Sequence, residues 1–186
     1  MLTSLRIGNY VLIEDGRIEF HPGLNVVTGE TGAGKSIMLN ALGLLLGERS
    51  SSADVRDPGQ DAVVEAAFEL DPASPAAREV RLALEAGGIP QENDTLLVRR
   101  VLSPGGRNRI FLNNTQCLLK QLREIGALLV DIHGQHEHQS LLRKSAYLPL
   151  LDAFGDSSPL LERYRNLYAE WTARRDQLAR LDENER

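Results

Sequence analysis

Gly29-Glu30-Thr31-Gly32-Ala33-Gly34-Lys35-Ser36 fits the pattern G-x-x-x-x-G-K-[ST] at every specified position. Leu24-Asn25-Val26-Val27 precedes it, an apolar run that predicts a buried strand. Ile37-Met38-Leu39-Asn40-Ala41-Leu42 follows, rich in helix formers. Strand, glycine loop and helix in that order form a phosphate cradle. Gly29, Gly32 and Gly34 lack a Cβ, so backbone N–H groups can turn inward around anionic oxygens. A helix starting near Lys35 adds unpaired N–H groups and the positive end of its dipole. The predicted ligand is a nucleoside triphosphate with Mg²⁺. It is held by Gly29, Glu30, Thr31, Gly32, Ala33, Gly34, Lys35, Ser36 and Ile37, with Lys35 on the β- and γ-phosphates and the Ser36 hydroxyl on the metal.

At 186 residues the chain has room for one domain with a full core, plus an appendage. Its net charge of −5 means that an anionic polymer would have to bind a local basic patch rather than the protein's overall field. The single cysteine, Cys117, rules out an internal disulfide and suits a reducing compartment. The N-terminus has no apolar signal core, and no run nears the roughly 18 apolar residues of a membrane span. A soluble, intracellular protein is expected.

Outward from the loop, Leu2–Ile7 and Arg17–Phe20 alternate as strands, and His21-Pro22-Gly23 turns the chain into the Leu24 run. Ser50–Gly59 is polar and reads as loop, and Val63–Leu70 as a strand. Ala76–Ala86 reads as an amphipathic helix stopped by Gly87-Gly88. Thr95–Leu102 and Arg109–Asn113 flank Ser103-Pro104-Gly105-Gly106 as a hairpin. Thr115 is expected to cap a helix running to about Glu124, and Ala127–Ile132 to form a buried strand. The expected fold class is α/β, a mixed lobe with antiparallel strands beside the nucleotide site.

In the tail, Leu160, Tyr164, Leu167, Trp171, Arg174, Leu178, Leu181 and Glu185 alternate in spacings of four and three. That is a heptad seam, which predicts a coiled coil on the order of 40 Å long; an amphipathic helix packed on the core is the alternative. The pattern is still running at Arg186, so a longer protein is expected. The predicted division is residues 1–152 for the lobe and 153–186 for the start of the arm.

The N-terminal strand pair, Pro22-Gly23-Leu24-Asn25, the complete phosphate loop and the closing heptads resemble SMC-type (ABC-type) ATPase heads. Thr28–Ser36, Leu46-Gly47-Glu48-Arg49, Arg99-Arg100 and Val130-Asp131-Ile132-His133-Gly134-Gln135-His136-Glu137-His138-Gln139 are similar, within that group, to the bacterial RecN family of DNA-repair proteins.

The resemblance implies an N-terminal lobe of a P-loop head with a mixed sheet, ending in an antiparallel coiled-coil helix. It also implies a C-terminal lobe, outside this chain, carrying the signature motif and Walker B. Two heads sandwich two ATP molecules, so hydrolysis needs that lobe and a second head, and this lobe alone should be nearly inactive. Gln135 matches the glutamine loop that touches Mg²⁺ and the attacking water, with Gln139 as the alternative. Arg56 corresponds to an arginine near the phosphates, with Arg49 competing for that role. Related heads often carry a basic residue after the first strand, whereas Asn9-Tyr10-Val11-Leu12-Ile13 has none, leaving the hold on the base open. The implied partners are its own C-terminal lobe, a second copy, DNA bound without sequence preference and a recombinase. The implied place is the cytoplasm, at the nucleoid, and the implied role is double-strand break repair and recombination. A chromosome-organising SMC head and a small-molecule P-loop kinase are the competing classes.

Three other constellations stand out. Apolar residues followed by Asp131 also fit a Walker B strand, but Ile132 stands where the catalytic Glu would be. His133, His136 and His138 crowd six residues, in a spacing that matches no zinc motif. Arg99, Arg100, Arg107 and Arg109 gather at the hairpin, where Arg107 and Arg109 share a face that could meet DNA phosphates; a solvated hairpin face is the alternative.

Overall fold

The computed structural model describes residues 1–29, 34–132, 147–148, 151–152, 154–155 and 157–184. They fall in two units, Met1–Asp131 and Ile132–Arg186. The first is built on a six-stranded sheet in the order β2-β1-β3-β4-β5-β6. The strands are β1 Leu2–Tyr10, β2 Ile13–Glu19, β3 Ala62–Glu69, β4 Thr95–Leu102, β5 Asn108–Leu112 and β6 Thr115–Gln116. Each described pairing is antiparallel.

Alternation decides which face is buried. Leu5 and Ile7 on β1, Val64, Ala66 and Phe68 on β3, Leu96 and Val98 on β4, and Ile110 and Leu112 on β5 all join one core. Three helices complete that core: α1 Gly34–Leu45, α2 Pro75–Ala86 and α3 Leu119–Leu129. Each shows the apolar spacing of a packed helix, with Ile37, Ala41 and Leu44, then Ala77, Val80 and Leu84, then Leu122 and Ile125 buried. The opposite sheet face carries exposed ion pairs such as Arg6–Asp15 (3.4 Å) and Arg17–Glu19 (3.2 Å), which contribute little to stability.

The α/β lobe and the β4–β5 hairpin are as expected, and several local expectations are corrected. Leu24–Val27 forms no strand; Leu24 is 91% and Val26 72% exposed. Ala127–Leu129 is the end of α3, and Val130–Ile132 continues without strand pairing. The second strand begins at Ile13 rather than Arg17. Thr115 caps no helix: Asn113 and Asn114 both have positive φ (46° and 62°), a two-residue turn that folds Thr115-Gln116 back on Phe111 and Leu112. The helix then starts at Leu119.

The second unit contains α4, Ser158–Asn184. Its side chains Leu160, Tyr164, Leu167, Trp171 and Leu178 are all exposed. Tyr168, beside that seam, stacks on Tyr164 with centroids 5.9 Å apart and leans on Trp171 at 5.7 Å.

Candidate functional site

Lys35 lies in the first turn of α1 and its ammonium donates to the carbonyl of Gly29, so the side chain closes the loop from which it springs. A Cβ on Gly29 would stand 3.7 Å from that Nζ, and one on Gly34 would meet nothing within 4 Å. Among the described residues nothing crowds the head of α1 at Gly34, where the Lys35 ammonium and first-turn N–H groups lie. No acidic residue sits in that turn to oppose an anion. Ser36, exposed beside Lys35, offers a hydroxyl to a cation shared with phosphate. This donor set fits a triphosphate with Mg²⁺.

Beside the loop is a cleft of about 370 Å³. Its walls are Ile7, Ile13, Gly16 and Ile18 of the β1–β2 hairpin, Val27, Thr28 and Gly29 leading into the loop, and Gly34, Lys35 and Met38 of α1. Gly16 is there for space: a Cβ on it would come 3.3 Å from the Ile13 side chain. A mostly apolar slot with a cation and glycine backbone at one end suits a flat base attached to phosphates. Sequence reading missed Ile13, Gly16, Ile18 and Met38, because it looked for a basic residue where the chain has isoleucine.

Ile37 is 7% exposed with its side chain in the core, so only its backbone can face the loop. Arg56 is not part of the cleft wall; its guanidinium pairs with Glu14 at 3.4 Å. The segment carrying it is strapped to the β1–β2 turn, where Arg56 N donates to Asn9 O (3.1 Å) and Val11 N to Asp54 O (2.7 Å). The buried Asn9 side chain donates to the carbonyls of Asp57 (3.0 Å) and Gln60 (3.1 Å) and accepts from Asp57 N (2.8 Å). Glu30, Thr31, Gly32, Ala33, Gln135, Gln139 and the three clustered histidines lie outside the described residues. Asp131 is exposed just past α3 rather than at the end of a strand, so the Walker B geometry is not formed.

The far end of α1 is also specified. Gly47, at φ 96°, closes the helix: Glu48 N donates to Gly43 O (3.0 Å) and Gly47 N to Leu44 O (3.1 Å). Two arginines reach this end. Arg123 Nε donates to Gly47 O (2.8 Å), and Arg100 Nη1 to Leu44 O (2.7 Å) and Glu48 O (2.6 Å). Arg100 also donates from Nη2 to Ser50 Oγ (3.2 Å) and from Nε to Asn108 Oδ1 (3.0 Å).

At 1% exposure Arg100 is a core residue, which corrects its grouping with the surface arginines. Burial lowers its pKa, Arg123 adds to that, and Tyr10 and Glu48 oppose it. The signal was available: Arg100 has the same strand parity as Leu96, Val98 and Leu102. Arg107 is exposed, Arg109 pairs with Asp61 at 2.8 Å, and Arg99 lies 4.8 Å over the Phe111 ring.

Comparison with known proteins agrees with this geometry. The chain is 44% identical over its whole length to the DNA repair protein RecN of Halalkalibacterium halodurans, covering 33% of that protein. It is 37% identical over its whole length to DNA repair protein RecN of Bacillus subtilis, covering 32%. The chain thus spans about a third of the length of these relatives. Among solved structures it resembles one described under ATP-driven dimerization and DNA stimulated activation of SMC ATPases, with a TM-score of 0.56 and 19% identity, covering 81% of this chain and 97% of that one. It also resembles an Smc head domain with an extended coiled coil bound to the C-terminal domain of ScpA, from Pyrococcus furiosus, with a TM-score of 0.53 and 21% identity, covering 68% of this chain and 32% of that one. At such identities the likeness is one of fold, that of a lobe of an SMC-type head. With the glycine loop at the head of α1 and the AAA domain model matching residues 4–186, the chain belongs to the AAA domain family.

Proposed function

We propose that this chain is the ATP-binding N-terminal lobe of a RecN-like, SMC-family ATPase head acting in DNA double-strand break repair and recombination. The observation that carries the reading is the Lys35 ammonium closing on Gly29 at the head of α1, beside an apolar cleft. Phosphates lie along the loop and the base enters the slot of Ile13, Ile18, Val27 and Met38. Lys35 holds the β- and γ-phosphate charge, and Ser36, with Gln135 from the following segment, holds Mg²⁺. The metal, when bound, neutralises charge developing between those phosphates. Arg56 reaches this site only by leaving Glu14.

Residues 1–152 constitute the lobe and 153–186 begin the coiled-coil arm. Leu24, Val26, Val27 and Leu39 are exposed apolar side chains on the loop's flanks. The C-terminal lobe covers them and brings the catalytic carboxylate. Two such heads then close on ATP, with the heptad seam of α4 paired to a returning helix. DNA is held without sequence preference, and a recombinase acts downstream at the nucleoid. Relatives named DNA repair protein RecN support the repair role.

Titration calorimetry of MgATP against the chain and its Lys35→Ala variant tests the reading. The parent is expected to bind, and the variant to bind at least tenfold more weakly with an unchanged circular dichroism spectrum. Equal affinities would overturn it. ATPase activity is expected to rise from near zero only when the C-terminal lobe is added, and rapid turnover by the chain alone would contradict the split site.

A further inference from the structure

We infer that Arg100 is a positioning residue for the phosphate loop: by gripping the far end of α1 it sets where Lys35 and Ser36 stand. The inference rests on the nucleotide reading above and goes beyond it, since Arg100 lies on another strand and at the opposite end of the helix.

For stability alone a buried guanidinium is a poor choice, because it must shed water, and an apolar side chain of similar size would fill the space more cheaply. Its hydrogen-bond partners explain its use. They are two backbone carbonyls from the end of α1, Leu44 and Glu48, the Ser50 hydroxyl just beyond, and the Asn108 amide on β5. None is a carboxylate: the guanidinium bonds neutral oxygens at the negative end of the helix dipole, with the Glu48 charge close by.

Asn108 Nδ2 also donates to Ser50 Oγ (2.6 Å), so β4, β5 and the chain leaving α1 share one knot. Arg123 holds Gly47 from α3 in the same way. With its C-terminal end fixed by two guanidiniums, α1 cannot slide along its axis. A helix of 12 residues is a stiff rod about 18 Å long, so a displacement at Leu44 appears at Lys35. Phosphate contacts are sensitive to shifts of about 1 Å, a scale on which catalytic and binding geometry is lost.

The test compares MgATP dissociation constants and melting midpoints of the 186-residue chain with those of three variants: Arg100→Met, Arg100→Lys and Leu84→Ala. Leu84 is 1% exposed on α2, is not a hydrogen-bond partner in the knot, and is expected to lower stability when truncated. Arg100→Met is expected to weaken MgATP at least tenfold. Arg100→Lys should recover part of that loss, because it keeps the charge but not the fork. Leu84→Ala should melt comparably early yet bind within twofold of the parent.

Parent-like affinity in Arg100→Met, or equal weakening by Leu84→Ala, overturns the inference while leaving the nucleotide reading intact. If Arg100→Met does not fold, Asn108→Ala at the exposed end of the knot is expected to weaken binding about threefold, ~0.7 kcal/mol, and an unchanged constant there overturns it equally. A parent chain that binds no MgATP sinks the nucleotide reading itself, and this inference with it.

Discussion

Gly126 on α3 and Leu46 at the end of α1 meet backbone to backbone: a Cβ on Gly126 would stand 2.9 Å from both the Cα and the carbonyl oxygen of Leu46. Neither atom belongs to a side chain that can swing aside, so a methyl group there must push the two helices apart. Gly126→Ala is expected to cost about 1–3 kcal/mol, the usual range for overpacking a core. Urea denaturation reads this as a lower midpoint with an unchanged slope. A midpoint equal to the parent's would show that the helices are not seated this closely.

Gly16 gives a way to separate the base from the phosphates. Valine at this position would project into the cleft against Ile13, whose side chain is already 3.3 Å from the position of a Cβ. Gly16→Val is expected to weaken MgATP about tenfold, ~1.4 kcal/mol, while inorganic tripolyphosphate binds as to the parent. Parallel losses for both ligands would place the base elsewhere.

Tyr10, 3% exposed, has its phenol pKa pushed up to about 12, first by burial and then by Asp54 and Glu48, with Arg100 pulling the other way. The folded value exceeds the unfolded one, so the folded state holds the phenolic proton longer. That contribution to stability is complete below about pH 10 and is lost as pH rises from there to about 12. Tyr10→Phe is expected to flatten the alkaline limb of a stability-against-pH curve over this window. An unchanged limb would assign the alkaline loss to other groups.

The turn at Asn113-Asn114 makes an opposite pair of predictions. Both residues have positive φ, a conformation that glycine adopts without strain and β-branched residues resist. Asn114→Gly is expected to hold or raise the melting midpoint, and Asn114→Val to cost about 1–2 kcal/mol. Differential scanning fluorimetry distinguishes them. A neutral valine would mean that the β5–β6 turn is dispensable.

The same turn shows why some of the fold was legible in the sequence and some was not. β3, β4 and α2 could be read because a period of two or of three to four reports directly on a buried face, and Gly87-Gly88 stops the helix whatever lies around it. Thr115 was misread because its hydroxyl suits a helix cap in isolation, whereas the adjacent asparagines had already committed the chain to a hairpin. Leu24–Val27 and Ala127–Ile132 were misread for another reason. An apolar run records a tendency to be covered, and says nothing about whether the covering element belongs to the same segment. In the site, the helix that opens at Gly34 was legible because a run of helix formers follows Lys35-Ser36 directly. The burial of Arg100 was readable from its strand parity, but its bonds to the end of α1 arise only when β4 meets that helix, and the closeness of Gly16 to Ile13 only when β2 folds.

Leu24-Asn25-Val26-Val27 carries a consequence for the life of the protein before assembly. It is a short hydrophobic stretch of high β-propensity, with Leu24 91% and Val26 72% exposed and no strand alongside it among the described residues. Exposed apolar side chains of this kind favour contact with other apolar surfaces. During synthesis it stays uncovered until the residues that cover it have emerged, at about 5–20 per second. Until it is covered, this spot is where the chain would be expected to associate wrongly, and where a shield of apolar character would fit.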